Sequence, residues 1–475
     1  MDSLELSFTP ATELAALMRA RQLSPVEVVD AILERIDAVN PKINAYVTLV
    51  PEKARAAARE AEAALLRGDK LGPLHGVPVS VKDVIDTAGI RTTYASTLFA
   101  DHVPTQDDLA VARLKAAGAI VVGKTNTPEF AAGINSRNAL FGATRNPWHT
   151  SLCAGGSSGG AAAALAAGLA PLAVGSDLGG SLRIPASICG VVGFRTSAGR
   201  VPQYPAGWLY DWSAVAGPMA RTVADTALML SVLAGPDARV PISLSEPGEV
   251  FADAARGEVA GQRIAWSRDL GVAVVEPEVV NVVESALGTW RSLGCAVEAD
   301  QPDFADIRDI ITPLRAVRMA AQHQDLLELG DKIDNKFFKD FVQVAKRLSL
   351  LDVARAEALR SRLWERVHAF FQRYDFLVSP TTQTPAFDLE KPYPDVIAGR
   401  QIENNVDAFL LTYAISLTGL PAISIPCGFT AAGLPVGMQI VGRWRDEAGV
   451  LRAAAAFERA APWAHLRPPV VAGGS

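Results

Sequence analysis

The chain has 475 residues, of which 49% are hydrophobic and 20% are charged, and its formal net charge is −6. This balance is ordinary for a globular protein with a sizeable core. It argues against a direct nucleic-acid binder, because lysine and arginine form no basic stripe along the chain, but it leaves a tRNA-bearing partner protein open.

Cysteine and histidine spacing bears on redox compartment and metal binding. The six histidines show no HExxH or HxH spacing, so we expect no metal site and no cofactor. Four cysteines lie far apart, without a CxxC pair: Cys153, Cys189, Cys295 and Cys427. Such spacing favours reduced thiols in a cytoplasm.

The first ten residues lack the features of a secretory signal, and the most apolar stretch, 161–174, is shorter than the ~20 residues of a membrane span. We therefore expect a cytoplasmic protein without a membrane segment.

The first strong helix signal is the segment SPVE at 24–27. It is a capping box with proline at the first helical position, where its missing N–H costs nothing. Apolar residues then recur at helical spacing from Val28 to Val39. Residues 52–67, rich in Ala, Glu and Arg, predict a second helix, and Gly72-Pro73 ends this helical arm.

Beyond the arm, short β-rich runs alternate with helices. The predicted strands are 77–83, 119–122, 172–175, 262–266, 296–298, 375–378, 422–426 and 438–441. The predicted helices are 108–117, 160–168, 277–293, much of 307–371, and 449–460. This alternation favours an α/β fold with helices on the faces of a sheet. We predict one domain over 1–475, divided into a helical arm (1–70), a catalytic core segment (71–235), a variable, largely helical segment (236–373) and a C-terminal part of the core (374–475).

The segment GAIVVGKT at 118–125 fits the nucleotide-binding pattern GxxxxGK[ST]. Its central residues, Ala-Ile-Val-Val, are typical of a buried strand rather than a phosphate-binding loop. The pattern also needs a helix directly after it, and Asn126-Thr127-Pro128 follows instead. We interpret the segment as a strand.

The segment GGSSG at 155–159 fits the nucleophile-elbow pattern GxSxG. An elbow requires a strand running directly into the serine, and 148–153 predicts a poor strand. His323, His368 and His465 lie in helical or terminal segments, where solvated or structural histidines are more common. The elbow remains a minor alternative.

Three segments carry residue types suited to acyl transfer. GVPVSVKD at 76–83 ends a predicted strand with Lys82, although a lysine there is more often a surface residue. GGSSGG at 155–160 places Ser157 before a helix whose N-terminus presents free N–H groups, although it could be a plain flexible turn.

The third segment, SDLGGSLRIP at 176–185, leads from a strand through two glycines into a serine. The backbone N–H groups of Leu178, Gly179, Gly180 and Ser181 could converge on one point, as an oxyanion hole requires. A tight glycine turn without that role is the alternative.

Together these segments resemble the amidase signature family. The resemblance covers most of the chain, from the capped helix at Ser24 to GLPVGMQ at 433–439, and GGSSGG and SDLGGSLRIPA are its most specific parts. It implies a single α/β domain with a mixed, twisted sheet covered by helices on both faces. It also implies that Ser181 is the acylated nucleophile, Ser157 the bridging serine and Lys82 the base, with a cis peptide before Ser157.

This triad needs a neutral lysine. A serine hydroxyl requires an adjacent base, and Ser157 can take the proton of Ser181 while passing its own to Lys82. The pKa of Lys82 must then fall from ~10.4 to near 7, which burial beneath the glycine loops would achieve. Asp83 would oppose that change if it faced Lys82, but strand alternation directs neighbouring side chains to opposite faces.

Further residues are expected around the triad. Asp177 and Arg183 flank the nucleophile, and we expect them to brace its loop. The resemblance implies that Ala131, Ala132 and Gly133 line the acyl site. The aromatic side chains of the segment 208–212 could wall the pocket or belong to a loop packed on the core, and both remain open: Trp208, Tyr210 and Trp212.

The resemblance implies hydrolysis of a small, fairly apolar or aryl amide. The same acyl chemistry would open esters and carbamates, so urethane cleavage is a realistic variant. The alternative is the amidase subunit of a tRNA-dependent amidotransferase complex. A catalytically dead binding protein is disfavoured because all three triad positions are filled. As partners we expect a small-molecule amide or carbamate, no direct nucleic acid and no membrane, with the chain a monomer or homodimer.

Overall fold

The computed structural model describes residues 1–329 and 332–472. The helices are α1 (Ser3–Phe8), α2 (Ala11–Arg19), α3 (Pro25–Ile43), α4 (Pro51–Arg67), α5 (Leu109–Ala116), α6 (Gly159–Ala166), α7 (Arg183–Cys189), α8 (Val223–Leu233), α9 (Pro277–Ser292), α10 (Ile307–Gln322), α11 (Gln324–Glu328), α12 (Lys336–Arg347), α13 (Leu350–Phe370), α14 (Leu410–Thr418) and α15 (Glu447–Ala460).

The strands are β1 (Tyr46–Leu49), β2 (Pro78–Lys82), β3 (Ile120–Thr125), β4 (Arg137–Asn138), β5 (Gly142–Ala143), β6 (Arg145–Asn146), β7 (His149–Cys153), β8 (Leu172–Asp177), β9 (Val192–Arg195), β10 (Val215–Ala220), β11 (Arg263–Trp266), β12 (Ala296–Ala299), β13 (Phe376–Pro380), β14 (Val396–Ile397), β15 (Arg400–Gln401), β16 (Ala422–Phe429) and β17 (Pro435–Val441).

Eleven of these strands form one mixed sheet in the order β1-β3-β2-β8-β10-β9-β16-β17-β13-β11-β12. Strand β2 is parallel to β3 and β8, and β11 is parallel to β12 and β13. The remaining pairs are antiparallel. The other six strands form three short two-stranded ribbons.

Helices cover both faces of the sheet. Alternate residues of a strand point to opposite faces. Leu172 and Val174 of β8 accordingly join one buried cluster, with α2, α5, α8, α9 and α15, while Ala173 joins the other, with α3, α6, α13 and α14. The predicted α/β fold, one domain with a mixed sheet covered on both faces, is confirmed. The division into four segments stays a prediction, and its residues 330, 331 and 473–475 lie outside the described part.

Element positions agree with prediction where the local signal is strong. Helix α3 begins after Ser24, whose side chain completes the predicted capping box with Glu27. The strands predicted at 119–122 and 172–175 continue to Thr125 and Asp177. The poor strand at 148–153 is a correction, because β7 forms there and pairs with β6.

The neighbouring parallel strands β3, β2 and β8 place three loops together. Carboxyl ends of neighbouring parallel strands meet at one edge of a sheet, where open α/β sheets bind ligands. Lys82 ends β2, Thr125 ends β3 and Asp177 ends β8. Among the described helices, none is both long and apolar enough to span a membrane.

Candidate active site

Lys82 is fully buried at the carboxyl end of β2. Its Nζ donates a 2.6 Å hydrogen bond to Ser157 Oγ and a 3.1 Å hydrogen bond to Ser176 Oγ. Ser176 lies on β8, the parallel neighbour of β2. Sequence reasoning quoted Ser176 in a motif but missed this contact, because the pairing of β2 with β8 is not visible in either segment.

Burial lowers the pKa of Lys82 to about 7, while the charge of Asp177 acts in the opposite direction. The neighbouring Asp83 accepts hydrogen bonds from Thr93 instead, with its side chain turned to the region of Lys124. Among the described residues, the hydrogen-bond partners of Lys82 are therefore hydroxyl groups and not carboxylates. A neutral amine in this position can accept a proton near neutral pH.

Close packing of backbone explains the glycines around Ser157. A Cβ on Gly156 would lie 2.8 Å from the carbonyl carbon of Ile134 and 2.9 Å from the backbone nitrogen of Asn135. The Gly156–Ser157 peptide bond is cis, as the family resemblance implies. Ser136 supports the same loop, since its Oγ donates to the Ser157 carbonyl at 3.2 Å and accepts from Gly159 N–H at 3.0 Å.

The loop that carries Ser181 leads from β8 into α7. It touches the Ser157 loop through a 3.1 Å hydrogen bond from the Ser158 N–H to the Ser181 carbonyl. No hydrogen bond joins the Ser157 and Ser181 hydroxyls among those of the described residues. Catalytic hydrogen bonds are often long before substrate binds, and both serines line one cavity.

The backbone N–H groups of this loop differ in whether they donate a hydrogen bond within the protein. The Gly180 N–H donates to Asp177 Oδ1 at 2.9 Å, which corrects the expectation that it points at a substrate oxygen. The N–H groups of Leu178, Gly179 and Ser181 donate to no acceptor within the described part of the chain. These three remain candidates for the oxyanion hole.

Asp177 holds the loop through buried charges. Its carboxylate accepts hydrogen bonds from the Leu182 N–H and from Arg183, and it forms ion pairs of 3.0 Å with Arg183 and 3.1 Å with Arg195. Burial alone would raise the pKa of Asp177, but the two guanidinium groups outweigh it and hold that pKa well below its usual range. Arg183 also donates to Ser416 on α14 at 2.7 Å. Sequence reasoning missed Arg195, which lies on β9.

A cavity of about 200 Å³ opens beside the serines. Ser157, Ser176, Leu178 and Ser181 line it, as do the expected Ala131 and Ala132. Gly133 does not line this cavity; it faces a neighbouring surface groove with Asn135 and Asn335. The reason is the turn of the backbone, which has left-handed φ values of 52° at Phe130 and 57° at Ala131.

The aromatic residues of 208–212 lie outside that cavity. Trp208 lines a small neighbouring cavity, Tyr210 is 64% exposed, and Trp212 packs beneath the guanidinium of Arg360. Of the two readings left open by the sequence, the packed loop fits these positions.

Much of the cavity wall comes from α10 and its end, which no motif marks: Arg315, Arg318, Met319, Gln322 and His323. Burial lowers the pKa of His323 to about 3, so this histidine is neutral, and of the solvated and structural alternatives the structural one fits it. Asp108, the N-cap of α5, also lines the cavity, and burial raises its pKa to about 7. The helix-cap signal at Asp108 was readable in the sequence, but its place in the cavity was not.

The two misleading motifs have structural explanations. Residues 120–125 are strand β3, and Lys124 Nζ donates to the Ile85 carbonyl and to the Thr87 and Thr92 hydroxyls, which leaves no phosphate cradle there. Strand β7 ends at Cys153, four residues before Ser157, so it does not run directly into that serine. Within 1–329 and 332–472, no cluster of three His, Cys, Asp or Glu residues could hold a metal ion.

Known proteins match the chain over nearly its whole length. The family model described as Amidase matches residues 27–451. An Acylamidase of Rhodococcus erythropolis is 42% identical over 472 residues, which covers 98% of each protein. A glutamyl-tRNA(Gln) amidotransferase subunit of Roseiflexus sp. (strain RS-1) is 38% identical over 490 residues, again 98% of each. The crystal structure of a bacterial aryl acylamidase of the amidase signature enzymes superposes with a TM-score of 0.91 at 30% identity, covering 98% of this chain and 99% of that one.

Proposed function

Because this chain belongs to the amidase signature family, we propose that it hydrolyses the C–N bond of a small, fairly apolar or aryl amide through an acyl-enzyme on Ser181. The observation that carries the proposal is the hydrogen bond between the buried Lys82 amine and Ser157, at the cavity that Ser181 also lines. That arrangement supplies a base, a proton relay and a nucleophile without histidine.

In the acylation step, Ser181 Oγ attacks the amide carbonyl carbon. Its proton passes to Ser157, and the proton of Ser157 passes to the neutral Lys82. The carbonyl oxygen gains the negative charge, which in this proposal the N–H groups of Leu178, Gly179 and Ser181 stabilise. Asp177 and Arg183 fix the course of this backbone.

Collapse of the tetrahedral intermediate breaks the C–N bond. The protonated Lys82 returns its proton through Ser157 to the leaving nitrogen, and the amine departs. Water then attacks the ester on Ser181 with the same relay as base, which releases the carboxylic acid and restores the serine hydroxyl.

The size of the cavity supports a small substrate. An apolar cavity of ~150 Å³ is large enough to bind benzene, and this one measures about 200 Å³. Phe130 and Met319 give it apolar walls. An aryl ring with a short acyl group is therefore a fitting substrate, and the likeness to an aryl acylamidase points the same way.

Esters and carbamates form the same type of tetrahedral oxyanion, so urethane cleavage belongs to the proposal as a variant. The second candidate is an amidase subunit that acts only in an amidotransferase complex. The observation that supports this second candidate is the 38% identity to a glutamyl-tRNA(Gln) amidotransferase subunit.

The test is chromophore release from para-nitroanilides, nitrophenyl esters and aryl carbamates by the purified single chain. We expect the wild-type chain to turn over anilides without any partner protein, and the Ser181→Ala variant to lose at least about 10³-fold in kcat, because triad members act as a unit. Ser231→Ala is the matched control, since that serine lies on α8 and donates to a carbonyl of its own helix.

Each outcome decides between the candidates. Turnover that disappears in Ser181→Ala and persists in Ser231→Ala supports the amidohydrolase. An inactive single chain that becomes active only with partner proteins would favour the amidotransferase component. Equal turnover by Ser181→Ala and wild type would contradict both.

A further inference from the structure

Arg315 on α10 is a buried arginine in the wall of the same cavity, and only 8% of the residue is exposed. Its Nη1 makes one long hydrogen bond of 3.4 Å, to the Tyr413 hydroxyl. Its Nε is buried and has no acceptor among the described residues. The guanidinium carbon lies 4.5 Å from the centroid of the Phe337 ring and 4.8 Å from that of Phe341.

Arg318, one helical turn further along, shows the usual arrangement. Its Nε forms a 2.7 Å ion pair with Asp211, and this pair is mostly buried. Burial would raise the pKa of Asp211, but the charge of Arg318 and the hydrogen bonds from Ser213 and Arg318 together outweigh it and lower that pKa. No ion pair of this kind involves Arg315 in the described part of the chain. Buried charges are normally paired, because desolvation of an unpaired charge is costly.

The location of Arg315 relates it to the reacting centre. Tyr413, which accepts its hydrogen bond, packs against the serine loop: a Cβ on Gly179 would lie 3.1 Å from Tyr413 Cδ1. One aromatic side chain therefore separates the guanidinium from the proposed oxyanion loop.

No carboxylate that lines the cavity forms an ion pair with Arg315 among the described residues. Asp108 instead caps α5, where its Oδ1 accepts a 2.8 Å hydrogen bond from the Ala110 N–H, and His323 is neutral because burial lowers its pKa to about 3. The ion pair of Arg318 and Asp211 has no net charge. Arg315 is thus the permanent charge without an opposite partner among the described residues of this wall.

We propose that Arg315 binds a carboxylate of the substrate, so that the preferred amides carry an acidic group a few bonds from the scissile carbonyl. This inference rests on the proposed function and narrows its substrate class. A guanidinium presents a planar fork of N–H donors that matches a carboxylate, and the aromatic rings stacked on it leave its in-plane donors available.

Two pairs of substrates test the inference without any mutation. Succinyl para-nitroanilide is compared with butyryl para-nitroanilide, which places the acid on the acyl half. Acetyl para-nitroanilide is compared with its ring-carboxylated derivative, which places the acid on the amine half. We expect kcat/KM of the wild-type chain to favour the acid in at least one pair by about 10–100-fold, the range of hydrogen bonds to charged groups.

Variants of Arg315 and Arg318 test which residue causes the preference for acidic substrates. In Arg315→Met we expect the acid-to-neutral ratio of kcat/KM to fall to about 1. In Arg315→Lys we expect part of the acid preference to be lost, because lysine lacks the planar fork of donors. Arg318→Met is the matched control and should change both members of a pair by the same factor, because that guanidinium is already paired.

Three results would overturn the inference: no acid preference in either pair, equal losses for acid and neutral substrates in Arg315→Met, or loss of the preference in Arg318→Met alone. If no anilide is hydrolysed, the proposed function fails, and the melting temperature of the wild-type chain with each member of the pairs tests the carboxylate site by itself. A rise with the acid members alone supports it, and equal shifts or none refute it. Should Arg315→Met not fold, the substrate pairs and Arg315→Lys still decide.

Discussion

Among single residues, Lys82 shows most clearly how burial creates chemistry. An ammonium without solvent is disfavoured, so the same burial that destabilises the charged form makes the amine available as a base. Its hydrogen bonds to Ser157 and Ser176 orient that amine. The burial that makes Lys82 available as the proposed base therefore also costs stability wherever that lysine is charged in the unfolded chain.

Replacement of Lys82 by methionine should stabilise the fold most at low pH. There the lysine is charged in the unfolded chain and must also be charged in the buried site of the folded one. Burial places the folded pKa at about 7 against an ordinary 10.5. The destabilisation is therefore complete below pH 7 and disappears as the pH rises to 10.5. The substitution Lys82→Met changes the free energy of unfolding relative to the wild type. We expect this change to be more stabilising at pH 6 than at pH 10 by about 3–4 kcal/mol. Urea unfolding at both pH values measures it.

Lys336→Met is the matched control, because that side chain is 87% exposed on α12. Its effect on the free energy of unfolding should be small and the same at both pH values. An effect of Lys82→Met that did not vary with pH would contradict a lysine that is neutral in the folded protein at neutral pH.

Asp177 is the opposite case, a buried carboxylate that must stay charged. Asp177→Asn would leave Arg183 and Arg195 without their shared counter-charge, so we expect a loss of about 3–5 kcal/mol in the free energy of unfolding at pH 7. The exposed ion pair of Asp253 with Arg256 provides the control, and Asp253→Asn should cost less than about 1 kcal/mol. Similar losses in the two variants would show that the buried network does not hold the loop.

Sequence reasoning reached part of this residue-level picture. The pKa of Lys82 near 7 and the turn of the Asp83 side chain away from Lys82, towards Thr93, both followed from strand alternation and expected burial. The second hydroxyl partner, Ser176, and the second arginine, Arg195, did not, because each contact joins strands whose order in the sheet no local pattern specifies. The Gly180 N–H was misassigned for a related reason: the loop folds back on Asp177.

Among the elements, helix α6 illustrates how close backbone approach sets a sequence. A Cβ on Gly160 would lie 2.6 Å from the Ala45 carbonyl oxygen and 2.7 Å from that of Asn126. Alanine, although the better helix former, does not fit there. Glycine thus allows α6 to begin directly against the segment after β3, which brings Ser157 to the end of β2.

Gly160→Ala should therefore destabilise the protein by about 1–3 kcal/mol, the usual cost of overpacking. Gly288, inside α9, has open space where its Cβ would be. Gly288→Ala should stabilise the protein by roughly 0.5–1 kcal/mol through helix propensity. Thermal unfolding of the two variants measures both, and stabilisation of Gly160→Ala would contradict the packing described for α6.

Elements with strong local signals were predictable and weak ones were not. The capping box predicted the start of α3, and the helix predicted at 277–293 matches α9 to within one residue of its end. Helix α1 has six residues, too few for a periodic pattern, although Asp2 and Glu5 form a capping box there. Strand β7 escaped prediction because three of its five residues are exposed.

For the whole molecule, alternating strands and helices indicated an α/β fold, but the strand order could not be derived. Strand β10 lies between β8 and β9, and β16 lies next to β9, so the centre of the sheet joins distant parts of the chain. The cavity, too, is formed by distant parts of the chain. Motif residues supply its floor, while α10, from a segment without motifs, supplies the wall that includes Arg315.

That division explains which conclusions follow from sequence. The family and the candidate triad follow from segments around the parallel strands β3, β2 and β8. The proposed substrate preference depends on a helix that contacts those segments only after folding, so its inference required the structure.

The most direct test of the proposed acyl-enzyme is the mass of the protein quenched during turnover of a slowly deacylating nitrophenyl ester. We expect an increase equal to one acyl group, located by peptide mapping on Ser181 and absent from Ser181→Ala. Acylation of Ser157 instead, or steady turnover in which Ser181 never carries the acyl group under conditions that trap such intermediates, would contradict the proposed mechanism.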